Sequence, residues 1–402
     1  MKRICLTVIG LFVWFVHVFA QSAPDTSQYK PRKLTFDEAN LVSSYYIQNG
    51  DHSAIRGGIG SEHVTDLANG IELKFVGWDA KQRKNSLTAG LGVDHHTAAS
   101  QAWISKTGAS RRTDGLRLYP SLDWTRENEQ KGSTIGGGLY YSNEFNYQSV
   151  GLNASVSQKT KNNGEFGVKL SAYLDQVKLI LPSEFEPAGA YTTRGNGDER
   201  HPDYGSSGRQ TYTASFSFTQ VINKRMQGAL LLDVVDQQGY LGLPFHRVYF
   251  TDGTDLVENL PNQRFKLPVG MRLNYFLGDN VILRSYYRYY TDSWGLHSHT
   301  ASLESSIKVT PFFSVTPFYR YYVQTAVDYF APYEAHVKTE AYYTSNYALA
   351  GFTSHYFGGG IRLAPPKGIF DSHLKMLEIR YGHYTQTTDL VSDVISLNLQ
   401  FK

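Results

Sequence analysis

The sequence predicts an all-β protein: a transmembrane antiparallel up-and-down β-barrel of about 16 strands, preceded by a cleaved export signal. Three observations carry this. Apolar and polar residues alternate with period two over segments of about ten residues, longer than the ~5–6 of a soluble strand. The connections sort by length, short turns on one side and long loops on the other, as outer-membrane barrels do and sandwiches need not. The composition is rich in Tyr (29) and Gly (36) and only 19% charged, which suits strands with one lipid face and one polar face.

Met1-Lys2-Arg3 followed by the apolar run 4–19 reads as a secretory signal, with cleavage expected between Ala20 and Gln21. Cleavage there removes Cys5, the one cysteine, so no disulfide scaffold is possible. The formal charge of +3 excludes a sequence-wide nucleic-acid signal. The abundance of aromatics excludes a disordered chain. We divide the chain into a signal (1–20), a periplasmic segment (21–39) and a barrel (40–402). Within the second segment Thr35-Phe36-Asp37-Glu38 fits a capping box and predicts a short helix before strand one.

Alternation places strands at 40–48, 70–79, 86–96, 116–127, 133–143, 149–159, 164–176, 210–222, 227–237, 268–277, 281–291, 297–309, 312–323, 354–364, 375–385 and 392–401. The last is the cleanest: Ile395, Leu397, Leu399 and Phe401 alternate with Ser396, Asn398 and Gln400. Short turns fall at 80–85, 128–132, 160–163, 223–226, 278–280 and 310–311, and long loops at 97–115, 177–209, 238–267 and 324–353. The segments 49–69 and 324–353 each have room for a further hairpin. Aromatics at strand ends are candidates for the interfacial girdles: Tyr45, Tyr46, Trp124, Tyr140, Tyr141, Phe145, Tyr147, Trp294, Phe312 and Phe313. The mid-strand runs Gly136-Gly137-Gly138 and Gly358-Gly359-Gly360 read as close backbone approach, since neither leads into a helix that could hold a phosphate.

Charged strand residues of a barrel point away from lipid. Parity turns Glu72, Lys74, Asp94, Arg117, Asp123, Lys169 and Asp175 inward in the first half of the chain. In the second half the inward set is Arg272, Arg284, Arg288, Arg320, Arg362 and Arg380, with Asp233, Glu304, Glu378 and Lys308. Arg284 and Arg288 share a face with Tyr286 and Tyr290, and Arg320 shares one with Tyr322. Arginine between tyrosine rings suits an anionic or sugar-like solute, and equally suits cross-bracing of a filled interior.

Other chemistry is thin. His297 and His299 share a strand face and could chelate, but that face carries Ala301, Leu303 and Ile307, so no metal site is expected. Neither G-x-S-x-G nor H-E-x-x-H occurs. Ser298 or Ser305 beside His297 and His299 is the one cluster a barrel hydrolase could use.

Several stretches taken in order resemble a known family. They include Arg56-Gly57-Gly58-Ile59-Gly60-Ser61-Glu62, Pro244-Phe245-His246-Arg247-Val248-Tyr249-Phe250, Trp294-Gly295-Leu296-His297-Ser298-His299-Thr300 and Asp328-Tyr329-Phe330-Ala331-Pro332-Tyr333. The chain is similar to the domain of unknown function 3570 family, outer-membrane β-barrels of Gram-negative bacteria, with the likeness densest from 244 to 360. The resemblance implies location and fold; it supplies no activity, cofactor or catalytic residue. The expected partners are outer-membrane lipid, the barrel assembly machinery through the C-terminal strand, and a small solute. The expected function is a channel or binding protein for a small polar or anionic solute. The alternatives are a closed barrel acting as scaffold or receptor through its loops, and a membrane-embedded hydrolase.

Overall fold

The computed structural model describes residues 31–97, 115–144, 146–182, 185, 192–194, 198–200 and 204–402. The expected signal with its Ala20–Gln21 cleavage site, most of the 97–115 loop and Phe145 lie outside the described residues. Twenty strands are formed: β1 (Arg32–Asn49), β2 (Val64–Trp78), β3 (Lys84–Thr97), β4 (Gly115–Asn128), β5 (Ser133–Glu144), β6 (Tyr147–Lys159), β7 (Gly164–Lys178), β8 (Thr192–Arg194), β9 (Asp198–Arg200), β10 (Ser206–Asn223), β11 (Met226–Gly239), β12 (Arg247–Tyr249), β13 (Asp255–Val257), β14 (Gln263–Leu277), β15 (Val281–Asp292), β16 (His297–Thr310), β17 (Phe313–Gln324), β18 (Phe352–Leu363), β19 (Leu374–Gln386) and β20 (Leu390–Phe401).

Sixteen of them close into one antiparallel barrel in chain order, with β8–β9 and β12–β13 left out as two small ribbons in the loops. β1 seals the ring by pairing Ala39–Asn49 with Phe401–Val391 of β20. Closure pairs each barrel strand on both sides and so removes the open sheet edge that lipid does not tolerate. The 50–63 and 325–351 segments carry no strand, and the extra ribbons sit in the loops after β7 and β11 instead.

Strand β1 begins at Arg32, eight residues before the expected start, and includes Thr35–Glu38. The expected capping-box helix is therefore replaced by strand. A capping box needs an apolar helical run behind it; here the following residues alternate, and Phe36 and Glu38 find partners in Phe75 and Lys74 of β2. Cross-strand pairing outweighs a local signal worth about 1 kcal/mol.

The alternation becomes an outer apolar surface. Leu91, Leu118, Leu170, Phe216, Met271 and Ile395 are all exposed on the outward face, far more apolar area than a soluble monomer leaves bare. Such a belt around a closed barrel is the surface a bilayer covers. Tyr45, Tyr141 and Phe312 add exposed aromatics to it, and Trp124 pairs across from Leu87 on the same face. Tyr46, Tyr140 and Tyr147 instead turn inward, where their hydroxyls meet Gln48, Arg117 and Asp175. Trp294 is buried among loops. Strand-end position does not choose the face of a ring; parity does. The aromatic band near the loop-rich rim is a set of Tyr–His pairs, with Tyr287 bonded to His299, Tyr289 to His297 and Tyr319 to His355. In β18, a Cβ on Gly358 would collide with the Tyr381 carbonyl oxygen, so that glycine permits a close strand approach.

Candidate functional site

Two structures occupy the inside of the barrel and its loop-rich end. The first is an arginine–tyrosine wall on β14–β19. Register places Arg272 opposite Tyr286, Arg284 opposite Glu304, Arg288 opposite Thr300, Arg320 opposite Tyr356 and Arg362 opposite Glu378, all on the face away from the apolar belt. Tyr290, Tyr322 and Arg380 lie on the same face.

Part of this charge is neutralised locally. Glu304 accepts from Arg284 Nη1 at 2.7 Å and from Arg380 Nη2 at 2.7 Å, and Arg380 Nη1 reaches Glu378 at 3.3 Å. The two arginines and two glutamates balance. The other four inward arginines differ. Among the described residues, Arg272, Arg288, Arg320 and Arg362 have neither a carboxylate within ion-pair distance nor a side-chain hydrogen bond. Three of them lie over rings instead: Arg272 over Tyr286 at 5.6 Å, Arg288 over Tyr290 at 5.7 Å and Arg320 over Tyr356 at 5.3 Å. A guanidinium can rest on a ring face and keep its N–H donors directed elsewhere.

Between Arg288 and Arg320 the wall opens into a cavity of about 360 Å³, floored by Tyr286, Thr300, Ser302, Tyr322, Ser354, Tyr356 and Tyr384. Sequence reasoning missed Thr300, Ser302, Ser354, Tyr356 and Tyr384. They were available in principle, since all share the inward parity of the arginines, but nothing in the chain says which inward positions stand around one hollow. Inward acids such as Asp66, Glu72, Asp94, Asp123 and Asp233 lie on β2–β4 and β11.

The second structure is a cap. In the ring of sixteen, β11 and β14 stand eight places from β1 and β2, diametrically opposite. Yet Ile55 of the β1–β2 loop packs with Phe245 of the β11–β14 loop and Ile180 of the β7–β10 loop. Arg247 Nη1 donates to Ile55 O at 2.6 Å. Gly57, at φ +75°, lets the Tyr249 ring come so close that a Cβ there would collide with it. Contacts between opposite sides of a barrel must cross its mouth. The β17–β18 loop joins them: His52 stacks on Tyr347 at 3.7 Å, and Thr344 Oγ1 donates to Glu258 Oε1 at 2.5 Å. Trp294, Leu296 and Val327 form a second apolar cluster that packs against Tyr290 of the wall below.

The cap is the best-buried part of the protein, with Val248, Phe250 and His336 each 1% exposed or less. Its polar interior is largely satisfied: His336 Nδ1 faces Glu340 and Nε2 faces the Thr344 carbonyl. Burial alone would raise the Glu258 carboxyl, but the His246 ring 3.8 Å away, with hydrogen bonds from the Thr344 hydroxyl and the Leu243 N–H, holds it below the usual range. Glu62, in the β1–β2 loop, is pushed up to about 7 by burial and then by Asp51. None of these groups stands out in the sequence: Glu258 meets Thr344 only when two distant loops come together, and His336 and Glu62 meet their near neighbours in loops without periodicity.

The hydrolase cluster does not assemble. Ser298 faces inward and is buried, whereas His297 and His299 face outward onto tyrosine hydroxyls, and Ser305 lies farther along β16. Among the described residues no group of three or more His, Cys, Asp or Glu side chains could hold a metal ion. Of the loop 177–209, Glu184, Glu186 and Asp203, and the side chains of Arg194, Asp198, Glu199 and Arg200, lie outside the described residues.

No curated protein matches the chain in sequence. Solved structures of similar fold include OccK1 (OpdK) of Pseudomonas aeruginosa, 8% identical, covering 90% of this chain and 97% of that one at a TM-score of 0.40. A bacterial polysaccharide outer membrane secretin is 10% identical, covering 90% and 98% at 0.44. A BenF-like porin from Pseudomonas fluorescens Pf-5 is 7% identical, covering 91% and 98% at 0.42. A family model described as protein of unknown function DUF3570 matches residues 82–390, beginning after the Arg56–Glu62 stretch that carries part of the resemblance. Closed barrel, lipid belt and family match together make this chain a member of the DUF3570 family, built as an outer-membrane β-barrel.

Proposed function

We propose that the protein is a diffusion channel for small anionic solutes, which descend the arginine–tyrosine wall after passing the cap. The observation that carries this reading is the row of four inward arginines without counter-ions among the described residues. A closed scaffold would pair its inward charges with one another, as Glu304 does with Arg284 and Arg380. Leaving guanidinium groups open is useful where a mobile anion replaces the missing partner. Barrels of this strand number leave room for water in the bore. Insertion would proceed through the barrel assembly machinery acting on β20.

In a planar bilayer with a KCl gradient, the folded protein should show discrete conductance with a reversal potential favouring chloride. Arg288→Gln with Arg320→Gln should move that potential toward neutrality. A second reading is favoured by contacts such as Arg247 to Ile55 that cross the mouth: a closed barrel whose cap is a receptor surface. A bilayer that stays silent with correctly folded protein would eliminate the channel and leave the receptor.

A further inference from the structure

We propose that the cavity between Arg288 and Arg320 is a binding site for one class of molecule, a hydroxylated ring of monosaccharide size that carries an oxyanion. The inference rests on the channel reading for its access route, but the site could be filled without passage. Its volume of about 360 Å³ is near the lower end of the ~300–1,000 Å³ typical of small-molecule sites, which selects a single ring over a chain. Its two cations are the feature that demands an anion. Neither guanidinium has a hydrogen-bonding or ionic partner among the described residues, and a carboxylate or phosphate can take two N–H donors from one arginine.

The rest of the lining argues for hydroxyls on the same molecule. Thr300, Ser302 and Ser354 supply small hydroxyls at the floor, and four tyrosines surround them. Each hydroxyl can both donate and accept, the capacity needed to match sugar hydroxyls whose directions alternate. The tyrosine rings offer flat apolar faces against which the C–H face of a pyranose can lie. An aliphatic anion would leave those hydroxyls unmatched, and a neutral sugar would leave both arginines uncompensated, each at a cost in affinity.

Two of the tyrosines are also held in position. Tyr322 donates to Gln324 Oε1 at 2.6 Å and Tyr384 to Gln386 Oε1 at 2.7 Å. Gln324 Nε2 in turn donates to Ala348 O and Ala350 O at the foot of the β17–β18 loop. The wall of the cavity is thus tied to the cap, and its ring positions are set before any ligand arrives.

The test is calorimetric titration of the folded full-length protein in detergent micelles at fixed ionic strength. The probes are glucuronate, glucose 6-phosphate, glucose and acetate. Glucuronate or glucose 6-phosphate should bind at least about tenfold more tightly than either glucose or acetate, and the two charged sugars reveal which oxyanion is preferred. Arg288→Gln and Arg320→Gln should each weaken the charged sugar by about tenfold, the loss of one charge-assisted contact. Lys224→Gln, in the exposed turn between β10 and β11 and outside the cavity, should leave binding within about threefold. Acetate binding as tightly as glucuronate would overturn the proposal, as would no binding of either charged sugar, or equal losses in all three variants. A silent bilayer with intact binding would remove the channel and keep the site.

Discussion

Phe245→Ala should unlatch the cap without disturbing the barrel. Phe245 is 3% exposed and packs with Ile55, Ile180 and Leu243, so its ring bridges loops that start on opposite sides of the mouth. Truncating a buried phenylalanine costs about 3–5 kcal/mol, and the lower figure applies because a loop cluster beside water can collapse into the space. At about 1.4 kcal/mol per factor of ten, a loss of about 3 kcal/mol shifts the closed-to-open ratio by about a hundredfold. The sixteen-strand ladder contains none of these residues, so the thermal unfolding of the barrel should stay in place. Two measurements read the effect: protease cleavage within 240–262, which should accelerate, and open probability in single-channel recordings, which should rise. Unchanged cleavage and unchanged recordings in a folded Phe245→Ala protein would show that the crossing contacts do not hold the mouth, and the argument from opposite strands would fail.

Two further outcomes follow from the charges. Glu304→Gln leaves Arg284 and Arg380 without their shared partner, so chloride preference should increase in the reversal potential; because these side chains are partly exposed, the melting temperature should change by the equivalent of no more than about 1 kcal/mol. Glu62 has a folded pKa raised to about 7, so the folded loop binds more protons than the unfolded one and its stability falls as pH rises from the ordinary carboxylate range through 7. Protection factors for amide exchange in 50–63, with the intrinsic base-catalysed rate divided out, should therefore be higher at pH 5 than at pH 8, with that difference abolished in Glu62→Gln; an identical pH response of the protection factors in the variant would place the titrating group elsewhere.

Much of this molecule is readable from alternation. Each of the sixteen barrel strands covers nearly all of the span that alternation assigns to it, because a strand that faces lipid on one side must repeat with period two, whatever its neighbours are. The same parity, read from the sequence alone, turns Arg272, Arg288, Arg320 and Arg362 inward. Local signals do less well where pairing competes with them, as Thr35–Glu38 shows by joining β1 and as Tyr46, Tyr140 and Tyr147 show by turning away from the girdle. Parity assigns a face but carries no information on distance around the ring. Tertiary structure therefore decided which inward hydroxyls share a hollow with Arg288 and Arg320, and which guanidinium groups find a carboxylate. It also decided the cap. Ile55 and Phe245 are far apart in sequence and sit on opposite hairpins, and their contact depends on loops with no periodicity, whose conformation is set by where the closed barrel puts their ends.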